Sequence, residues 1–435
     1  MKSLIAILLS ASGLAGASLK AGVGRVEITP AGPIWMSGYA ARTHPSDGVL
    51  TPLWAKALAI ESGPGRRIVI VSTDVVGIPR VVADEVAARA AKQHGLARAQ
   101  LLINASHTHT GPVVWPNLQN LTVFPPGEQE KLVEYSSKFT DALVTAIGAA
   151  IRDLAPATLE YGEGSVGFAI NRRQAFPNGP VDHAVPVLKL AGADGKVRAI
   201  LFGYACHNTT LTAKIYQLSG DYAGLAAAEL ERRHPGATAL FLMLCGADQN
   251  PSPRGTVELA RQHGDALASE VERVISARMT PVTGPVRTAL RLTPLQLAPR
   301  TRTDLEAELK VTLPAQVRRA QMMLKALDAG KSIDRIDYPV QAVRFGRGLT
   351  LVALGGEVTV DYSLRIKREF PGEPIIAVGY SNDVMCYIPS ARVLKEGGYE
   401  AVDSMIYYGQ VGPFAPDVED RIFAAVRRVV KDVGR

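Results

Sequence analysis

Short apolar runs rich in β-branched residues alternate with stretches of helical period through most of this chain, and that alternation limits its fold more than any other feature. Residues 67–72 (RIVIVS), 101–103, 197–204, 239–244, 348–354 and 373–379 read as strands. Residues 81–94, 132–152, 223–233 and 312–329 read as helices. The third of these ends on Arg232, Arg233 and His234, which suit the negative end of a helix dipole, and Pro235-Gly236 stops it. The pattern predicts an α/β fold, with a mixed and mostly buried sheet flanked by helices. A length of 435 residues admits one large domain or two smaller ones. No repeat, low-complexity tract or linker divides the chain, so a single large domain is expected. Residues 281–310 show little periodicity and are expected to cover the core.

Composition narrows the class. The chain is 47% hydrophobic and 20% charged, a globular balance. Its formal net charge is +7, but the basic residues are scattered and no basic run is interleaved with aromatics. Nucleic-acid binding is therefore not expected, whereas transient contact with an anionic membrane surface is compatible with the charge. Lys2, a short apolar run and Ala15-Gly16-Ala17 form the pattern of a secretory signal. Cleavage after Ala17 and a secreted or periplasmic protein are expected. Cys206, Cys245 and Cys386 are too few for a disulfide framework and read as small buried apolar residues.

Five segments could carry chemistry. In Asn104-Ala-Ser-His-Thr-His-Thr-Gly-Pro112 an apolar strand runs into two histidines. Alternate residues of a strand face the same way, so His107 and His109 are expected to reach one site at its carboxyl end, where open α/β sheets gather ligands. Phe202-Gly-Tyr-Ala-Cys-His207 places a third histidine after a strand, and Leu354-Gly-Gly-Glu357 places a carboxylate there. Taken singly, His207 reads as a hydrogen-bonded core histidine and Glu357 as a turn acid. Gly379-Tyr-Ser-Asn-Asp-Val-Met-Cys-Tyr387 and the polar turn Cys245-Gly-Ala-Asp-Gln-Asn250-Pro-Ser-Pro-Arg254 complete the set.

In this order the segments resemble the catalytic domain of the neutral/alkaline, non-lysosomal ceramidase family. The resemblance begins at Gly22-Val-Gly-Arg-Val-Glu-Ile-Thr-Pro30, passes through Gly38-Tyr-Ala-Ala-Arg42, and includes Ile170-Asn-Arg172. It implies one catalytic unit over residues 18–435, without the immunoglobulin-like domain that members often carry. It implies one zinc ion per chain, held by His107, His207, Glu357 and Tyr387. It places His109 near the substrate and Arg172 toward the reacting group. Where the family has a catalytic serine this chain has Asn250, with Ser252 two residues on. Asparagine is neither nucleophile nor base, so the resemblance implies zinc-assisted hydrolysis of an N-acyl bond, as in ceramide, without an acyl-enzyme. An amidase or esterase for another acylated compound is the alternative. A non-catalytic descendant that binds a lipid or glycan is a third reading.

Overall fold

The computed structural model describes residues 19–173 and 179–434. The expected signal at residues 1–17 lies outside the described residues. Eight strands make one continuous mixed sheet: β1 (Lys20–Glu27), β2 (Trp54–Glu61), β3 (Arg67–Thr73), β4 (Leu101–Ala105), β5 (Ala155–Ser165), β6 (Ala184–Gly192), β7 (Val197–Tyr204) and β8 (Thr238–Met243). Their spatial order is β8-β7-β6-β5-β1-β2-β3-β4, with the short pair Thr280–Pro281 beside β5. The outermost pairs, β7/β8 and β3/β4, are parallel, and the inner pairings are antiparallel. Parallel neighbours need a crossover, and each pair has a helix for it. α1 (Arg80–His94) joins β3 to β4. α2 (Glu128–Arg152) packs on β1 and β2, and α3 (Asp221–Arg233) joins β7 to β8. A Cβ on Gly22 or Gly24 would sit 2.3 Å from Ala150 O or 2.2 Å from Ala146 O, so only glycine lets α2 approach β1 this closely.

A second sheet follows α4 (Val257–Ser276). It comprises β9 (Val286–Gln296), β10 (Arg335–Phe345), β11 (Leu349–Leu354) and β12 (Ile375–Val378) in that spatial order. α5 (Val360–Glu369) joins the parallel pair β11/β12, and α6 (Val418–Gly434) lies against β9 and β10. The expectation for residues 281–310 is corrected here, because an eleven-residue strand, β9, occupies much of that stretch. It is an edge strand only half covered, so its apolar residues do not alternate cleanly, and its edge position accommodates Pro294.

The large sheet curls until its two ends meet. Lys56, Ser72 and Asn104 are register partners across β2, β3 and β4. Their side chains donate to three alternate carbonyls of β8: Lys56 Nζ to Ala239 O at 3.0 Å, Ser72 Oγ to Phe241 O at 2.5 Å, and Asn104 Nδ2 to Met243 O at 3.3 Å. The edge of β8 is thus satisfied by a row of side chains instead of another strand. Bridges between Leu244 and Val378 and between Asn104 and Ser381 stitch the end of β12 into the same seam. The carboxyl ends of β4, β7, β8, β11 and β12 converge as a result, and the five candidate segments follow those ends. No described helix is long and apolar enough to cross a membrane.

Candidate metal centre and adjoining cleft

His107 and His109 reach one place, but not by strand alternation. β4 stops at Ala105, and His107 adopts a left-handed backbone with φ of 63°. Its amide donates to Val75 O at 3.0 Å and its Nδ1 to Val76 O at 2.6 Å. The next residues are tied to the segment after β7: Thr108 bridges Asn208, and His109 N donates to Asn208 O at 3.2 Å. His207 is held by its amide on Gln249 O at 2.9 Å and by Nδ1 on Gly246 O at 3.0 Å. Glu357 and Tyr387 are register partners in a two-residue parallel pairing, so one rung presents both side chains.

The Gly38-Tyr-Ala-Ala-Arg42 segment cradles His109. A Cβ on Gly38 would fall 2.4 Å from His109 Nδ1. Tyr39 packs on the imidazole with ring centroids 4.8 Å apart, and Arg42 Nη1 donates to His109 O at 2.7 Å.

The buried side chains present a donor set that asks for a cation. Backbone carbonyls take the Nδ1 protons of His107 and His207, so each Nε2 carries a lone pair. Those nitrogens lie 3.1 Å and 3.3 Å from Glu357 Oε2, and Tyr387 Oη lies 3.3 Å from His207 Nε2. His109 Nε2 is 3.0 Å from His107 Nε2, and ligand atoms of the three histidines fall within 4.8 Å of one another. Burial alone would raise the Glu357 carboxyl; only positive charge at the histidine side, from the imidazoles of His107 and His207 when they are protonated, outweighs it and holds the carboxyl well below the carboxylate range. Burial, then the charge of Arg172, pulls His207 down to about 4. Burial and Glu357 push the Tyr387 phenol well above its ordinary value, against the pull of Arg172. Two imidazole nitrogens, an ionised carboxylate and a phenol are chemically apt for a zinc-type ion.

Arg172 closes the other side. Its backbone N donates to Asp248 O at 2.8 Å, and the pairing of Ala169–Asn171 with Gln249–Pro251 sets Asn250 beside it. The guanidinium donates to Tyr387 Oη at 3.1 Å, to Asn250 Oδ1 at 3.4 Å and to Glu400 at 2.8 Å. Burial opposes its charge, but Tyr387 and Glu400 hold the guanidinium well above its ordinary value. All seven residues singled out from the sequence therefore gather here: His107, His109, Arg172, His207, Asn250, Glu357 and Tyr387. Ser252 is exposed and does not line the cleft.

Sequence reasoning missed the residues that support these. Tyr408 donates to Glu357 Oε1, and Tyr380 to Oε2 at 3.5 Å. Glu400 sits on a π-helical turn, Tyr399–Asp403, and accepts from both Arg172 and Arg173. No spacing marks them, because each acts through a contact far away in sequence; only Tyr380 fell inside a segment already singled out. The three cysteines are buried and unpaired, as expected.

A cleft of about 1120 Å³ opens beside the cluster, lined in part by Tyr39, His109, Arg172, Asn250 and Tyr387. His107, His207 and Glu357 lie behind its wall.

A sequence model described as "Neutral/alkaline non-lysosomal ceramidase, N-terminal" matches residues 19–287. That span holds His107, His109, Arg172, His207 and Asn250, while Glu357 and Tyr387 lie beyond it. The neutral ceramidase of Pseudomonas aeruginosa is 29% identical over 251 residues, covering 53% of this chain and 37% of that protein. The neutral ceramidase of Mycobacterium tuberculosis is 29% identical over 245 residues, covering 51% of this chain and 37% of that protein. The match therefore spans little more than a third of either relative's length. Among solved structures, neutral ceramidase from Pseudomonas aeruginosa superposes with a TM-score of 0.74 at 22% identity, over 96% of this chain and 74% of that one. A ceramidase described as complexed with C2 gives 0.73 at 20% identity, over 95% of this chain and 76% of that one. At such identity these two establish the shared fold. With the family match covering more than half of its residues, the chain belongs to the neutral/alkaline non-lysosomal ceramidase family.

Proposed function

We propose that this protein is a zinc-dependent hydrolase of an N-acyl bond. One observation carries the reading: Nε2 of His107 and Nε2 of His207 converge on Glu357 Oε2 at 3.1 and 3.3 Å, while the Nδ1 of each ring is taken by a backbone carbonyl. His107, His207, Glu357 and Tyr387 would hold the ion, with Tyr387 the weakest of the four because its phenol stays protonated on its own. Zinc supplies Lewis-acid chemistry when bound, lowering the pKa of water to about 7 and polarising a carbonyl.

The chain's own residues account for the rest. Arg172 remains charged and aims two donors into the site, where they steady negative charge on the acyl oxygen. Burial holds the His109 imidazole well below its ordinary value, so a proton relayed through the ring is readily given up to the departing amine nitrogen. In the balance, the carbon–nitrogen bond breaks, water gives hydroxyl to the acyl carbon, and its proton goes to the amine. Asn250 offers hydrogen bonds and no nucleophile, so hydrolysis is direct. The pattern over residues 2–17 supports export as part of this proposal.

Family membership supports a ceramide-like lipid as substrate. The cleft favours a second reading, a more polar acylated compound. Its lining carries Arg172, Arg173, Arg254, Glu396 and Glu400. The apolar stretch after the histidine run does not line it: Val113 and Val114 are buried in the core, and Phe124 packs on Trp35 and Trp115.

Metal content and turnover on a short-chain ceramide, measured on one preparation, test the proposal. One zinc per chain is expected, with release of fatty acid and sphingosine. His207→Ala and Glu357→Ala should each lose both metal and activity. Full turnover by metal-stripped His207→Ala protein would sink the scheme, and turnover restricted to short or polar acyl compounds would favour the second reading.

A further inference from the structure

The charged groups lining the cleft do not balance. Three guanidinium groups, on Arg172, Arg173 and Arg254, face two carboxylates, on Glu396 and Glu400. Both carboxylates are already engaged. Glu400 accepts from Arg172 at 2.8 Å and from Arg173 at 2.5 Å, and Glu396 accepts from Arg173 at 3.0 Å. Arg254 is left over. Its one hydrogen bond among the described residues is a long one, Nη1 to Thr209 Oγ1 at 3.5 Å, and no described carboxylate lies within ion-pair distance.

The backbone that presents Arg254 is pinned on both sides. Ser252 N donates to Phe168 O at 2.9 Å and Gly255 N to Thr210 O at 2.8 Å. Pro253 O accepts from His263 Nε2 at 2.7 Å. An exposed guanidinium on a fixed backbone can meet an anion at little ordering cost. Its position in the cleft is also informative. Thr209 follows Asn208, whose carbonyl accepts from His109 N, so Arg254 and Thr209 stand on the His109 side of the site, beyond ion-pair distance of the Glu400 carboxylate. His109 is the group assigned above to the departing amine.

We propose that Arg254 forms an anion subsite that selects N-acyl substrates bearing a carboxylate or phosphate on their amine portion. Its planar fork matches either group, and both lie within the chemistry of polar acylated amines. The assignment of the amine side rests on the amide-hydrolase reading; the subsite itself does not.

Three amides of one short acyl chain test it: N-hexanoylethanolamine, its phosphate ester, and N-hexanoylglycine. For the zinc-loaded protein, kcat/KM for at least one anionic amide should exceed that for the neutral one by about tenfold, the scale of a charge-assisted hydrogen bond. The phosphate and carboxylate arms tell the two anions apart. In Arg254→Gln that ratio should fall to about one, and Arg254→Lys should restore part of it. A wild-type protein without the preference, or a preference that survives Arg254→Gln, overturns the proposal. Calorimetric titration of the same three amides reads the subsite without turnover. Tighter anionic binding that is lost in Arg254→Gln, with no amide hydrolysed, supports the subsite and removes the hydrolase reading. Equal binding of all three removes the subsite.

Discussion

His207 shows how much of the site's chemistry is set by what surrounds one side chain. Buried, and facing the charge of Arg172, its imidazole is drawn from 6.5 to about 4. Between those values the unfolded chain binds a proton that the native protein does not, so stability rises with pH across the window. The contribution of His207 is whole above pH 6.5 and is lost as pH falls toward 4. In metal-stripped protein, the stability gap between wild type and His207→Gln should narrow by about 2 kcal/mol from pH 7 to pH 5. Chemical denaturation at the two values reads this, and a gap that does not change with pH would mean His207 titrates normally. Residue identity alone made His207 a plausible core histidine. Its carbonyl partner, Gly246 O, is what turns Nε2 toward Glu357, and that partner lies 39 residues away in sequence. The same holds for Asn250: the chain names an amide there, but only the pairing with Ile170 brings it beside Arg172.

At the level of elements, the strands with continuous β-branched runs were legible and the half-covered ones were not. β3 and β7 are buried along most of their length, so their apolar runs announce them. β5 and β9 mix exposed and buried positions, and β9 lies in a stretch that reads as irregular. The seam between sheet ends had no signature either, since Lys56, Ser72 and Asn104 look like ordinary polar residues. Asn104 is the most heavily used of them. It accepts from Met243 N at 2.9 Å and donates to Gly379 O at 2.8 Å, besides its contact with Met243 O. Asn104→Ala should therefore leave several buried backbone groups unpaired and destabilise the protein by about 3 kcal/mol. Urea denaturation measures the loss. A change under 1 kcal/mol would mean that water replaces the side chain and the seam is not held by it.

Over the whole molecule, the candidate ligands span residues 107 to 387 and tie the large sheet to the small one. An ion bound there acts on the native state alone. Free zinc at about a thousand times its dissociation constant should stabilise the protein by roughly 4 kcal/mol. Denaturation midpoints with and without zinc would show it, and Glu357→Gln should respond far less. A midpoint indifferent to zinc in the unmodified protein would count against a native metal site.

The sequence by itself determined the alternation of strands and helices, the placing of chemically capable residues just after strand ends, and the family resemblance. These depend on local periodicity and on residue type, which neighbours along the chain settle. Only the tertiary structure decided that His107 turns through a left-handed backbone instead of following its strand, that Tyr408 and Glu400 support Glu357 and Arg172, and that Arg254 meets no carboxylate among the described residues. Each of these depends on single contacts between segments far apart in the chain, formed only after the large sheet curls and the strand ends meet.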